Sequence, residues 1–322
     1  MKIAYIILAH QNPEQVVRLI NRLNEPNTYF AIHIDRKAND NVYQDVAKAL
    51  RNEPNVSLIK RHPIYWGELG MVSATLEGIE SLLKEKIPYD YAILLSGQHY
   101  PIKTNEQIKN FLQKSRGKSF IEHSWFSKKH WPGRFRIEHW CVAFNFFGRR
   151  KFYLSPDYLL LNLKDSKYPI LRALGRLPDS GLFPRRKFLD GFEPYGGGQW
   201  WCLDRDCVEY VSDFIRKRPD FMKYFRFTRL PEEVIFQTII LNSYLRDRVV
   251  DKSLTYTRWP AGGRSAHPVI LRENDFGDLA ACPELFARKF DINTEKEILD
   301  IIDDKLLGVR TVQSHEPTSR LE

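Results

Sequence analysis

The run Ile3-Ala4-Tyr5-Ile6-Ile7-Leu8-Ala9 constrains the fold of this chain more than any other segment. It is apolar at every position, so both faces of the strand it forms must be covered. The residues that follow supply a cover. Asn12-Pro13-Glu14-Gln15 reads as a helix start, with Asn12 as N-cap, proline at the first helical position and Gln15 at the third. Val16, Leu19, Ile20 and Leu23 then recur at helical spacing. Tyr29 to Asp35 and Val56 to Ile59 read as further strands. About Gly70 to Leu83 reads as a helix, and Tyr89 to Leu95 as another strand. This βαβ rhythm predicts an α/β fold with a largely parallel central sheet flanked by helices. Ligands of such sheets bind at the carboxyl ends of the strands. His10, Asp35, Ser96 and Gly97 stand at those ends.

The middle of the chain is different. Trp125 to Tyr195 is aromatic and basic, with clusters such as Lys128-Lys129-His130-Trp131 and Gly148-Arg149-Arg150-Lys151, and its periodicity is poor. It reads as an insertion, not a separate domain. Regular patterning returns with a strand at Gly198 to Leu203 and helices at Arg205 to Arg216 and Pro231 to Tyr244. Beyond about Arg310 the apolar pattern is lost, and residues 311–322 read as a flexible tail. The expected organisation is one domain over residues 1–310, with segments 1–124 and 196–310 on either side of the insertion at 125–195.

Composition excludes several classes. The 322 residues, 43% of them hydrophobic, suffice for a large core. The formal net charge of +9 suits an anionic partner. No run of five or six like charges marks a nucleic-acid arm, and no nucleic acid is expected as partner. No stretch approaches the roughly 20 apolar residues of a membrane span. Cys141, Cys202, Cys207 and Cys282 lack zinc-site spacing and are expected as free thiols. The only Asp-x-Asp triplet is Asp204-Arg205-Asp206. It follows a strand and opens a helix, where capping accounts for both carboxylates. No metal is expected there.

Three segments carry a resemblance: Ile3 to His10, Pro231-Glu232-Glu233, and Leu285-Phe286-Ala287-Arg288-Lys289-Phe290-Asp291. Ile32 to Ala38, Ser96 to Asn105 and Gly196 to Trp201 add to it. Together they resemble the core-2/I-branching and peptide O-xylosyltransferase family, glycosyltransferase family 14. The resemblance covers about residues 1–110 and 195–292. It implies a GT-A-type nucleotide-binding fold and an inverting, metal-independent transferase. Such an enzyme moves a sugar from a UDP-sugar to a hydroxyl of a glycan or glycoconjugate and forms a β linkage. UDP-GlcNAc and UDP-xylose lead as donors; UDP-glucuronate is also used in the wider family.

The resemblance also implies roles. Glu233 is the catalytic base, its carboxylate favoured by the dipole of the helix it opens. Lys289 meets the diphosphate, with Arg264, in Gly262-Gly263-Arg264-Ser265, as partner and Arg272 as the alternative. Asp35 and His10 line the uridine, and Trp66-Gly67 brings an aromatic over the nucleobase. Gln199 and one of Trp200 and Trp201, with Trp200 preferred, line the sugar and acceptor side. His99 stands where relatives generally place an aspartate, a departure that puts contacts at that position in doubt. The segment 125–195 falls on the acceptor side. No cofactor is implied. Relatives in eukaryotes carry a membrane anchor, and its lack points to a bacterial cytoplasmic enzyme, with peripheral contact at the inner membrane, or to a trimmed chain. The rival readings are a catalytically silent sugar-nucleotide or carbohydrate-binding relative, and a basic nucleic-acid-binding protein with steeply salt-dependent affinity.

Overall fold

A computed structural model describes residues 1–126, 134–146, 150–154, 167–176, 185–260 and 267–309. The first strand, β1 (Ile3–Ala9), is central. It pairs in parallel with β2 (Thr28–Ile34) on one side and β4 (Tyr91–Ser96) on the other, and β2 pairs in parallel with β3 (Val56–Leu58). Three later strands extend the sheet beyond β4: β6 (Ser119–Phe120), β11 (Cys202–Asp204) and β12 (Val249–Val250). The seven-stranded order is β12-β6-β11-β4-β1-β2-β3, with β11 antiparallel to β4.

The all-apolar sequence of β1 is divided between two cores. Ile3, Tyr5, Ile7 and Ala9 face one apolar cluster; Ala4, Ile6 and Leu8 face the other. The first cluster is closed by helix α1 (Pro13–Leu23), through Val16, Leu19, Ile20 and Leu23, and by helix α2 (Asp40–Leu50). The second is closed by helix α3 (Gly70–Lys84) and by helices at 205–217 and 235–241. Burial of large apolar side chains on both faces dominates the stability of such a sheet. The parallel strands and their covering helices agree with the sequence expectation.

A second sheet positions the site. It joins β5 (His99–Pro101), β13 (Thr255–Thr257) and β14 (Phe286–Arg288) in the order β13-β14-β5. Arg288 lies opposite His99 in the antiparallel β14–β5 pair. Gln15, fully buried, ties this sheet to the first. Its amide donates to the carbonyls of Gly97 and Phe290, and its oxygen accepts the Ile292 N–H.

Three local expectations are corrected. Asn12 adopts φ 52° and makes no cap bond; its amide reaches Asp291 instead, and Gln15 is committed to the inter-sheet tie. The helix expected at Pro231 to Tyr244 is a 3-10 turn, Pro231–Glu233, followed by a helix at Ile235–Leu241. Val234 at φ −130° separates them, so Glu233 lacks a helix dipole of any length. The strand expected from Gly198 begins only at Cys202. Within the 125–195 insertion, β8 (Val142–Phe146) pairs locally with β9 (Arg150–Leu154), and Trp125 pairs with Tyr195 where the insertion begins and ends. The tail at 311–322 lies outside the described residues. No helix among the described residues is long and apolar enough to cross a membrane.

Candidate active site

Asp35 ends the strand β2 segment in the carboxyl-end position that sequence assigned it. Its N–H donates to the Ala9 carbonyl at 2.8 Å, which fixes it beside the end of β1. Its Oδ1 accepts the N–H groups of Lys37 and Ile64, at 2.9 and 3.1 Å. One oxygen therefore organises two loops. The other has no partner among the described residues. His10 follows β1 and is exposed. Its pKa is lowered, first by partial burial and then by the nearby Lys289 and Lys37 ammonium groups, against an opposing pull from Asp35. His10, Asp35 and Lys289 thus share one electrostatic environment.

The Ile64 contact leads to the aromatic turn. Lys37 lies over the Tyr65 ring at 4.1 Å. Trp66 is partly exposed, with the Arg229 guanidinium 4.8 Å from its ring centre and the His267 ring at 6.1 Å. Gly67 holds φ +78°, a conformation that side chains with a Cβ adopt only at a cost. That turn lets its carbonyl accept the Leu230 N–H at 3.0 Å. Leu230 itself is left-handed, at φ 52°, immediately before the Pro231 turn. Strain of this kind costs about 1–3 kcal/mol and gathers at functional sites.

Glu233 is half-buried, and its Oε2 is ion-paired to Nη1 of Arg136. Arg136 comes from the insertion, so the insertion reaches the proposed base directly. Arg186, buried, fixes that segment: its guanidinium donates to the carbonyls of Arg136, Ile137 and Tyr224. Beside Glu233, Glu232 is buried and its carboxyl is pushed up to about 8, first by burial and then by the Glu233 charge.

The glycine triplet runs past these carboxylates. The Gly197 N–H donates to the Glu233 carbonyl at 2.9 Å. A Cβ on Gly197 would lie 2.0 Å from the Glu122 carbonyl oxygen, and one on Gly198 would lie 2.7 Å from Glu122 Oε2. Only glycine permits so close an approach. Glu122 adds a third carboxyl group at this place. Its pKa is raised by partial burial, by Asp251 and by Glu233.

Trp200 and Trp201 part company, although neither is on a strand. Trp201 is buried against Phe236 in the second core. Trp200 turns toward the second sheet, with the His99 ring edge-on at 4.6 Å and the Arg288 guanidinium 5.0 Å from its centre. His99 is fully buried. Its Nδ1 accepts the Ser96 N–H at 2.9 Å, so the neutral ring carries its proton on Nε2. Burial and Arg288 hold its pKa well below the ordinary range. His99 Nε2, Arg288 Nε and Gln199 Nε2 are buried nitrogen donors with no hydrogen-bond acceptor. Arg288 makes no ion pair among the described residues, and burial pulls its pKa down to about 10. Buried polar groups are nearly always satisfied, so the orphan donors of His99 and Arg288 on either side of one indole mark a place for an oxygen-rich ligand.

The contacts close a ring. Asp35 holds Ile64; the Tyr65–Gly67 turn holds Leu230; Glu233 holds Gly197; Trp200 packs on Arg288; the charges of Lys289 and Asp35 both act on His10. Of the residues singled out in sequence, His10, Asp35, Trp66, Gly67, His99, Trp200, Glu233 and Lys289 belong to it, and Gln199 lies in the chain between Gly198 and Trp200. Arg264 lies outside the described residues. Arg272 turns its guanidinium to Glu295 at 3.4 Å, away from the ring. Sequence reasoning missed Arg288, Arg136 and Glu122. Arg288 adjoins Lys289 in a motif already noted, and alternation in β14 was the available signal. Arg136 and Glu122 gave none, since neither pairing is local.

The Asp-x-Asp triplet is elsewhere. Asp204 pairs with Tyr91 at the start of β4, roughly 17 Å along the strand from Ser96. Asp204 Oδ1 caps the Cys207 N–H, and both Asp204 and Asp206 are ion-paired to Arg248.

The Core-2/I-Branching enzyme family matches residues 3–280, and the chain belongs to that glycosyltransferase family. It is 28% identical to xylosyltransferase 1 of Rattus norvegicus over 329 residues, 96% of this chain and 36% of that protein. It is 27% identical to xylosyltransferase 2 of the same species over 333 residues, 96% of this chain and 34% of that one. The chain spans about a third of the length of these relatives. Mouse xyloside xylosyltransferase 1 in its apo form aligns with a TM-score of 0.36 at 11% identity, over 91% of this chain and 98% of that one.

Proposed function

We propose that this chain transfers a sugar from a UDP-sugar to a hydroxyl of a glycan or glycoconjugate, with inversion and without a metal. One observation carries the reading: His99 Nε2 and Arg288 Nε, buried and without an acceptor among the described residues, flank Trp200, three residues after the Gly197 that bonds the Glu233 carbonyl. Family membership and the xylosyltransferase relatives support sugar transfer. UDP-GlcNAc and UDP-xylose are the first donors to try.

In this reading Asp35 and His10 take the uridine, with Trp66 at the nucleobase. Arg288 and Lys289 meet the diphosphate. Arg288 replaces Arg264 as the proposed partner, because its guanidinium is buried and unpaired beside Trp200. Glu233 removes the proton from the acceptor hydroxyl while that oxygen bonds to the anomeric carbon. The bond from that carbon to the diphosphate breaks on the opposite side, and UDP departs with the electron pair. The two cations stabilise the negative charge that develops on it, a role worth several kcal/mol in a partly dry site. Arg136 holds the base in place between turnovers. Asp204 and Asp206 take no part.

Thermal stability with UDP in EDTA tests the donor half, since a ligand that binds the native state raises the melting temperature. A rise in EDTA that Mn²⁺ does not enlarge is expected; a rise seen only with Mn²⁺ overturns the metal-free reading. For the chemical half, Glu233→Gln is expected to lower kcat by about 10²–10⁴, the usual size of general-base catalysis, with UDP affinity retained. Near-normal turnover in that variant refutes the assignment.

A further inference from the structure

A cleft lies on the insertion side of Glu233, outside the ring of donor-site residues. It has a volume of about 620 Å³ and is lined by Trp125, Phe126, Ile137, Glu138, Arg185 and Glu193, among others. That volume is ordinary for a site that takes a small molecule. Arg136, which pairs with Glu233, directly precedes Ile137 and Glu138 on the cleft wall. Phe126, on the opposite wall, packs on Gly196, where a Cβ would come 2.1 Å from its ring and 2.9 Å from the Glu233 carbonyl.

Trp125 is the distinctive group. It sits on the short strand β7 (Ser124–Trp125), paired with β10 (Tyr195–Gly196), and is 56% exposed. Its Nε1–H is already used, donating to Glu193 Oε2 at 2.9 Å. The polar edge of the indole is thus anchored, while much of the ring remains open to solvent. An anchored aromatic face with carboxylates and a guanidinium around it matches a pyranose: apolar C–H groups on one side of the ring, hydroxyls on the rim that both donate and accept. A peptide would be held by backbone pairing along an open strand edge, and β7 and β10 are each only two residues long.

We propose that this cleft is a saccharide subsite, with Trp125 as its stacking platform. It takes the part of a glycan acceptor next to the ring that presents the attacked hydroxyl. The assignment rests on the transferase reading above and gives it a substrate class: a saccharide of two or more rings, not a bare peptide.

The test is saturation-transfer NMR on the full chain with chitotriose, xylotriose, lactose and a Ser/Gly-rich acidic peptide, each at ~10 mM. That concentration exceeds the ~1 mM dissociation constant of a weak complex. At least one saccharide is expected to bind, about tenfold more weakly in Trp125→Ala, with Trp125→Phe restoring most of the loss. Acceptor KM in transfer assays is expected to rise by the same factor. Absence of binding by every saccharide, equal binding by Trp125→Ala, or binding of the peptide alone overturns the proposal. Binding is read without turnover, so the two readings fail separately. A protein that binds saccharide through Trp125 but transfers nothing refutes the function alone. One that transfers sugar with an unaltered KM in Trp125→Ala refutes the cleft alone.

Discussion

Replacing Arg288 with methionine should make the protein more stable and its nucleotide affinity worse. The guanidinium is largely buried, its Nε has no acceptor, and its only notable contact is the Trp200 face. Burial lowers its pKa from the ordinary arginine range to about 10. At 1.36 kcal/mol per unit, that displacement corresponds to roughly 3 kcal/mol spent on holding the cation out of water. Methionine keeps the length and apolar stem but forfeits a cation–π contact of about 0.5–1 kcal/mol. The net gain is about 2 kcal/mol. A chain of 322 residues unfolds with an entropy near 0.7 kcal/mol/K, so the melting temperature should rise by about 3 °C. The sign holds across pH: the folded-state pKa is depressed, but arginine is charged in both states below about pH 9, so the gain stays flat there. UDP should bind about 10–150-fold more weakly, the loss of a charge-assisted bond worth about 1.5–3 kcal/mol. Differential scanning calorimetry and UDP titration calorimetry in EDTA measure both quantities. A lower melting temperature, or unaltered UDP affinity, refutes the reasoning.

Two further outcomes follow from the same structure. Glu232 has a folded pKa near 8, above its ordinary 4.5, so the folded state holds a proton that the unfolded chain releases between those values. Stability should therefore fall as pH rises from about 5 to 8, by up to about 4 kcal/mol from this group, and Glu232→Gln should flatten the urea midpoint over that range; an unaltered slope counts against the buried neutral acid. Asp204→Ala should cost about 1–2 kcal/mol through the lost cap on Cys207 and the lost partner of Arg248, with UDP affinity intact. Loss of a Mn²⁺-dependent activity in that variant would instead return the triplet to the site.

The layered fold was legible because β1 declares itself. An apolar run with no alternation needs helices on both faces, and those helices show their own spacing. Asp35 and His10 were legible for a related reason: strand ends are fixed once the strands are. Pro231-Glu232-Glu233 was expected to open an α-helix and forms a 3-10 turn instead. Proline at a first helical position reads the same whether an α-helix or one 3-10 turn follows. Gln15 was misread in kind, since a glutamine at the third helical position serves a cap in one context and a distant sheet in another. Arg136 and Arg186 were beyond sequence reading. Their partners lie far away in the chain, in a region with no periodicity, and local patterns do not report such pairings.

The pairing of β5 with β14 sets a timetable. The ends of β1, β2 and β4 all lie within the first hundred residues, yet Arg288 and Lys289 follow almost two hundred residues later in the chain. Until β14 docks against β5, nothing described in the first half supplies the paired cations. A nucleotide bound through them stabilises only the assembled state. The nascent chain must therefore build its parallel sheet without help from the ligand. A ligand of these cations would then act as a late seal: it would hold the last strand of the second sheet in place and leave earlier folding intermediates to the chain's own hydrophobic contacts.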